Sequence, residues 1–527
     1  MTLVAMVINC EKRVVIVMLS ALTLFNRIHG STTKKVLVLA PSARSHLMQA
    51  NSVTDGLIDR GHDVHTIVDV RLKLPADFLH PKVKVINYDN GVDVIFNTPE
   101  YQVDLVAMGL KDMSVFERLN LLSKLYGLLT GECHRVLGNV DLFDKLQREK
   151  FDFVVIDGFM KCFSIFPHRL GVPFVSFQSF LPFDIPHAAL QGPLLIRGPF
   201  DGLLTGEDSP ALLATTAKVF LVLAGMDASA EYYRYSNKTI LELQKEAKLW
   251  LYDKSLLVDS PMPVSPNVIR VGGLNIRRPK PLTEGKLKHF TDSAEDGFIL
   301  VCFGSFVQHF PDKVVDTLIE SFKNIRYKVV WKWNKSSLLS REVPNNVLVV
   351  DWIPQNDILG HRNIKLFVTH CGGSGLHEAL YSGVPMLAIP LFGDQVMNAK
   401  TITTLHFGLN IRMKDLTKSL LVSSINSLVS DVSFSRKIGA ASRIFRDQPM
   451  DPRQTAAYWI EHVMKYGADH LQSKTNEMSW FRILMMDVLF VVCVVFLVLC
   501  VLIAVVCHIA FRKCCLKSKP KLKTKIQ

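Results

Sequence analysis

The chain has 527 residues, is 49% apolar and carries a formal charge of +13. That length supports two or three domains around a large core, and so high an apolar fraction calls first for a membrane segment. Seven basic residues and no acidic one lie between Arg512 and Gln527, so the remainder carries only +6; the charge belongs to a lipid-facing kind of tail, which excludes nucleic-acid binding as its explanation.

Lys12 and Arg13 precede the apolar stretch Val14 to Phe25, and small or polar residues follow to Thr33. This predicts a secretory signal peptide over residues 1–30, cleaved near His29 to Ser31. Residues 31–259 then alternate strand and helix. Lys35 to Ala40 is a short apolar run suited to a buried parallel strand. A helix is expected from His46 to Asp59, ended by Gly61, and further strands at His62 to Val68, Phe153 to Ile156 and Phe174 to Ser176.

Ser260 to Pro266 holds three prolines, which no regular helix or central strand accepts, so residues 260–278 are expected to be a linker. A second alternating stretch fills residues 279–435, with strands at Phe298 to Phe303, Tyr327 to Trp333, Val347 to Val350, Leu366 to Thr369 and Met386 to Ile389. The fold class is therefore α/β, with two parallel sheets and crossover helices. A cleft between two such domains is a natural ligand site. After Thr417 the pattern is helical, and residues 436–480 are expected to be helices that close the soluble part.

Val488 to Ile509 is a run of 22 residues without formal charge, long enough to cross a hydrocarbon core of roughly 30 Å. Basic residues follow it over 510–527, which makes that side cytoplasmic and the body luminal, a single-pass type I arrangement. Two glycosylation sequons, at Asn237 and Asn334, fit a luminal body. Of ten cysteines, Cys493, Cys500, Cys507 and Cys514 recur every seven residues as a small-residue stripe on one helix face. Only Cys133, Cys162, Cys302 and Cys371 remain for the folded part. They are widely spaced without a C-x-x-C pair, so free buried thiols are expected, with one disulfide as the alternative.

Chemistry concentrates between Trp352 and Gln395. Phe367 to Thr369 ends a strand, His370 to Gly375 is a glycine-rich turn, and a helix starts at Leu376. Such a turn brings backbone N–H groups and a helix N-terminus to a phosphate. Rival motifs fail: Glu378 stands where a dinucleotide fingerprint needs glycine or alanine, no G-x-x-x-x-G-K loop occurs, and Tyr381 replaces the second histidine of a zinc-protease helix. No Asp-x-Asp pair exists, which speaks against a metal-dependent glycosyltransferase site, and no metal ligands are expected.

The 44-residue stretch from Trp352 to Gln395 resembles the donor-binding signature of the UDP-glycosyltransferase family, and the signal peptide, Val271 to Leu274, Phe303 to Ser305 and the C-terminal anchor resemble its animal membrane-bound branch. The resemblance implies a GT-B architecture of two facing Rossmann-like domains, the first binding the acceptor and the second a UDP-sugar co-substrate, with no bound cofactor and with the C-terminal helices of 436–480 packing back on the first domain. Trp352 would stack on uracil, Gln355 contact the nucleoside and Glu378 accept both ribose hydroxyls. Ser305, His370 and Ser374 would bind phosphate, Gly372, Gly373 and Gly375 shape the loop, and Asp394 and Gln395 hold sugar hydroxyls. Ser374 departs from the asparagine common in relatives, and Cys371 from glycine.

In the same family a histidine opening the first helix is the general base, here His46, and an aspartate at the end of a parallel strand orients it, here Asp157. A base near neutral pH suits histidine. The implied mechanism is direct, inverting displacement, with a silent, scaffold-type family member as the alternative. The acceptor would be small and lipophilic, lined by parts of 74–125 and 180–232. Glucuronic acid or glucose is favoured as the sugar. Lys523 and Lys525 resemble a dilysine signal for the endoplasmic reticulum membrane. Homo-oligomerisation is left open.

Overall fold

The computed structural model describes residues 33–91 apart from 73, 76 and 77, then 106, 110, 115–178, 235–259, 264–305, 307, 309–338, 341–472, 482 and 485–517. The expected signal peptide, the acceptor stretch over 180–232 and the dilysine-like residues lie outside them.

Seven parallel strands form one sheet: β1 Lys35–Leu39, β2 Asp63–Asp69, β3 Lys84–Tyr88, β4 Phe153–Asp157, β5 Phe174–Gln178, β6 Trp250–Tyr252 and β7 Val268–Arg270. Their order is β3-β2-β1-β4-β5-β6-β7. Helices α1 Arg44–Asp59, α2 Val115–Gly138, α3 Val140–Glu149, α4 Ile165–Leu170 and α5 Ile240–Lys245 lie between them in the chain. β1 shows why the sheet is buried on both sides. Val36, Val38 and Ala40 face one core cluster, Leu37 and Leu39 the other, as a period of two requires. The stretch expected as linker contributes β7, since a three-residue edge strand asks only for pairing with β6.

The second sheet has six parallel strands: β8 Phe298–Cys302, β9 Lys328–Lys332, β10 Val347–Val350, β11 Ile364–Thr369, β12 Met386–Ala388 and β13 Gly408–Asn410. They run in the order β10-β9-β8-β11-β12-β13. Its helices are α6 Lys286–Asp292, α7 Asp312–Phe322, α8 Gln355–Leu359, α9 Gly373–Ser382 and α10 Gln395–Thr404. Then come α11 Lys418–Ser430, α12 Val432–Arg446, α13 Pro452–Tyr466 and α14 Met486–Lys517. Each sheet grows outward through three strands and then resumes on the other side of its first strand, so each has one switch point: between β1 and β4, and between β8 and β11. Crevices at the C-terminal ends of such strands are where open α/β sheets bind ligands.

α13 returns to the first half. Pro452 occupies the first helical position and the Asp451 carboxylate accepts from the Arg453 N–H at 2.9 Å, which starts the helix. Its Ala456, Ala457, Ile460 and Val463 join Ala50, Val53 and Leu57 of α1 in one core. The approach is close: a Cβ on Gly56 would lie 2.8 Å from the Arg453 carbonyl oxygen. Glu461 clamps the far end, accepting from Arg60 at 2.5 Å and pairing with His62 at 3.0 Å.

The cysteine expectation is corrected in half. Cys302 and Cys371 are buried free thiols, but Cys133 and Cys162 form a disulfide with Cα atoms 6.0 Å apart. α2 lays Cys133 against the short turn after β4 that carries Cys162, a proximity no spacing rule encodes. α14 is the one described helix long and apolar enough to cross a membrane, and its side chains stand exposed rather than packed on the body.

Candidate active site

At the first switch point β1 ends at Leu39 and the chain turns through Ala43, the last extended residue before α1. α1 therefore starts two residues earlier than the expected His46, which falls in its first turn. β4 ends beside β1 on Asp157, 1% exposed. The Nδ1 of His46 lies 2.6 Å from Oδ2 of Asp157, across 111 residues of sequence. The other carboxylate oxygen accepts from the Phe159 N–H at 2.9 Å, and the Phe159 ring sits 4.6 Å from the imidazole. A carboxylate oxygen accepts, so a proton on Nδ1 makes this hydrogen bond and leaves the Nε2 lone pair free. Burial and two hydrogen bonds leave Asp157 no other orientation.

The second switch point is built of backbone. Gly304 follows β8 with φ +80°, and the chain turns into Ser305. Across the gap β11 ends at Thr369 and leads into His370, whose ring fills the space where side chains on Gly304 and Gly372 would stand. A Cβ on either would be 2.7 Å from its Nε2. Those positions demand glycine. Cys371 takes the left-handed region at φ +64°, held by its N–H donating to the Thr369 hydroxyl at 3.1 Å. Gly372 is the extended residue before α9, and Gly373, Ser374 and Gly375 form its first turn. N–H groups of a first turn have no partner within the helix and favour an anion. Burial and the Lys332 ammonium lower the His370 pKa to about 4, so its ring is neutral at physiological pH.

One turn along α9, Glu378 is 3% exposed, and burial raises its carboxyl to about 7 against the opposing hydrogen bond of Gln355, the charge of Arg277 and the hydrogen bond of Asn275. Asn275 and Asn356 each donate to its Oε1 at 3.0 Å, and the Gln355 amide donates to Oε2. The structure thus joins Gln355 and Glu378 directly. A ligand hydroxyl reaches this carboxylate only by displacing an amide. Trp352 precedes α8 and is 44% exposed, an open indole face at the cleft.

Asp394 stands before α10 with its Oδ2 only 3.5 Å from where a Cβ on Gly373 would be, so it borders the phosphate loop. Asn398, one turn on, donates to that carboxylate at 2.8 Å and to the Cys371 carbonyl at 2.9 Å. Lys254, from the end of β6 in the first half, donates to Asn398 at 2.7 Å. Gln395 is buried and its amide oxygen accepts from the Leu391 and Phe392 N–H groups at 2.9 and 3.2 Å, so that oxygen holds its own loop.

Several cleft residues escape sequence reasoning. Lys332 ends β9, donates to the Gly304 carbonyl at 2.5 Å and lies 5.2 Å from the centre of the Trp352 ring. Its available signal is a lysine between two strand tryptophans. Asn398 could be found as the residue four after Asp394 on one helix face. Arg44, Asn275, Asn356 and Lys254 carry no local pattern.

Comparison with known proteins agrees with this arrangement. The family model described as "UDP-glucoronosyl and UDP-glucosyl transferase" matches residues 34–199 and 213–521. UDP-glucuronosyltransferase 1A1 of Mus musculus is 27% identical over 496 residues, covering 91% of each chain. UDP-glucuronosyltransferase 2A3 of Cavia porcellus is 29% identical over 509 residues, covering 92% of each. Among solved structures, Os79 of O. sativa in complex with U2F and trichothecene aligns with a TM-score of 0.60 at 15% identity, over 82% of this chain and all of that one. UDP-glucose: anthocyanidin 3-O-glucosyltransferase in complex with UDP gives 0.56 at 19% identity, over 82% and 99%. Those two likenesses speak to the fold. With two parallel doubly wound sheets, two facing switch points and a family match over most of its length, the chain belongs to the UDP-glucuronosyl and UDP-glucosyl transferase family and is a GT-B UDP-glycosyltransferase.

Proposed function

We propose that this enzyme transfers glucuronic acid or glucose from its UDP-sugar to a hydroxyl of a small lipophilic acceptor, with inversion, and that His46 and Asp157 are the catalytic pair. The observation that carries the reading is the 2.6 Å contact between them at the switch point opposite the glycine-rich donor loop. The acceptor O–H gives its proton to Nε2 of His46 as the oxygen bonds to the anomeric carbon. The bond from that carbon to the β-phosphate oxygen breaks, and its electron pair leaves with UDP. Asp157 keeps the ring oriented and balances the imidazolium. The first-turn N–H groups of α9, Ser305 and Ser374 hold the diphosphate as charge grows on it. Trp352, Gln355 and Glu378 hold the nucleoside, and Asp394 and Gln395 the sugar.

The enzyme is further proposed to sit in the endoplasmic reticulum membrane by α14, with its body in the lumen. The Cys133–Cys162 disulfide favours an oxidising compartment. Both sequon asparagines, Asn237 and Asn334, are exposed, and Arg512 and Lys513 follow the apolar span.

The test is incubation of the full chain with a panel of UDP-sugars and phenols, following UDP release. Wild type should release UDP with one sugar preferred, and His46→Ala should not. Equal background release from both proteins ends the proposal.

A further inference from the structure

The proposed chemistry uses the first half only as an acid–base device, yet a cation from that half reaches the donor side of the cleft. Arg44 opens α1, two residues before His46. Two residues along a helix turn by about 200°, so the two side chains leave opposite sides of the first turn. His46 faces inward to Asp157, and Arg44 faces the second half, where its guanidinium carbon lies 5.9 Å from the centre of the Trp352 ring. Lys332 meets the same ring at 5.2 Å. Two cations from two sheets therefore converge on one exposed indole.

What brings them together is not a carboxylate of Lys332: among the described residues its ammonium donates to the Gly304 carbonyl and forms no ion pair. Burial first, and the charge of Arg44 with it, depress the Lys332 pKa, so the two positive groups lie within electrostatic reach of each other. A phosphate seated beside Lys332 is therefore also within reach of the Arg44 guanidinium. The neighbours define where it goes. Gly304 leads into Ser305, the His370 ring packs on Gly304 and Gly372, and the free N–H groups of α9 begin at Gly373.

We infer that Arg44 is a donor-site residue supplied by the acceptor half: its guanidinium pairs with the diphosphate of the UDP-sugar, beside Lys332, and stabilises the leaving group. The inference rests on the proposed donor site and adds a role that neither half shows alone. The turn after β1 then carries both ends of the displacement, a base for the incoming oxygen at His46 and a cation for the departing one at Arg44. A guanidinium suits the second task because its planar fork grips phosphate oxygens and stays charged at any working pH. It also makes donor binding draw the two halves together.

The test measures UDP and uridine affinity, by calorimetry, on the full chain in detergent for wild type, Arg44→Gln and Arg44→Lys. Uridine reports stacking and the ribose grip without phosphate, and serves as the check that each variant is folded. Arg44→Gln should weaken UDP on the order of 10- to 100-fold, as loss of a charge-assisted pair does, with uridine unchanged within about twofold. Arg44→Lys should recover most of the loss, and kcat should fall in parallel with UDP affinity while the KM of the acceptor holds. Unchanged UDP affinity in Arg44→Gln, or UDP and uridine weakened by the same factor, overturns the inference and makes Arg44 a packing partner of Trp352. Absence of UDP binding by wild type would instead sink the donor site itself, and this inference with it.

Discussion

The two switch points solve opposite problems with the same topology. In the first half the candidate site is a pair of side chains, His46 and Asp157, fixed by burial and by the short contact between them. In the second half it is mainly main chain, a glycine-lined turn around the His370 ring and the start of α9. A proton acceptor must be one atom at one distance, and a side chain in a helix's first turn, held by one at a strand end, supplies that. A diphosphate is spread over several ångströms and takes many weak donors, which backbone N–H groups supply. Chemistry should therefore fail with single substitutions in the first half, while donor binding should degrade in steps in the second.

The largest effect that could break this contrast comes from Asp157→Asn. It keeps the shape but removes the charge that sets the His46 tautomer, so kcat should fall by about 10²- to 10⁴-fold with UDP affinity unchanged. Loss of UDP binding in that variant would mean the halves are not separable in function. Next is the disulfide, which staples only the first half. Cys133→Ser should cost about 2–4 kcal/mol of stability and lower the melting temperature in calorimetry, with Glu461 contacts and donor loop unaffected. A melting temperature equal to wild type would show that the staple adds nothing to the first half.

The smallest effect sharpens the donor side. Burial holds the Glu378 carboxyl near 7, above its ordinary value, so the nucleotide-free fold favours the protonated form. Stability from this group is full at low pH and is lost as pH rises through about 7. Uridine affinity should move the other way, rising by at most about tenfold per pH unit as the carboxylate proposed to grip ribose becomes ionised. Glu378→Gln should flatten both profiles, read by thermal melting and by uridine titration from pH 6 to 8. Profiles identical to wild type would assign the titration elsewhere.

The same contrast governs what the sequence makes legible. The proposed donor elements sit in one stretch, from Trp352 to Gln395, so spacing alone puts Glu378 on the helix after the glycine-rich turn, although α9 starts at Gly373, three residues before the expected Leu376. His46 and Asp157 are 111 residues apart, and only the pairing of β1 with β4 brings them together. Strands and their parallel order follow from apolar runs such as Phe153 to Ile156. β3, β6, β7 and β13 do not, because β3 is largely exposed and the other three are only three residues long, too short to carry a period. Cys133 and Cys162 pair through the docking of α2, and Arg44, Lys332 and Lys254 act through space, so no local motif announces them. Gln355 and Asn275 resting on Glu378 are likewise visible only once linker and α9 meet.

α13 imposes an order on how the molecule comes to exist. It is the last described helix ahead of α14 to be synthesised, yet it completes the apolar layer over α1, the helix that carries His46. A nascent chain that has delivered β1 through β7 still presents Ala50, Val53 and Leu57 uncovered until some two hundred further residues emerge. The first half therefore matures last, after the donor half has formed, and a stop codon just ahead of Pro452 would disable a helix that began at Arg44. Hybrids that exchange first halves between relatives face the same demand: Gly56 and the Arg453 carbonyl must still fit so closely that a Cβ at position 56 would lie 2.8 Å from that oxygen.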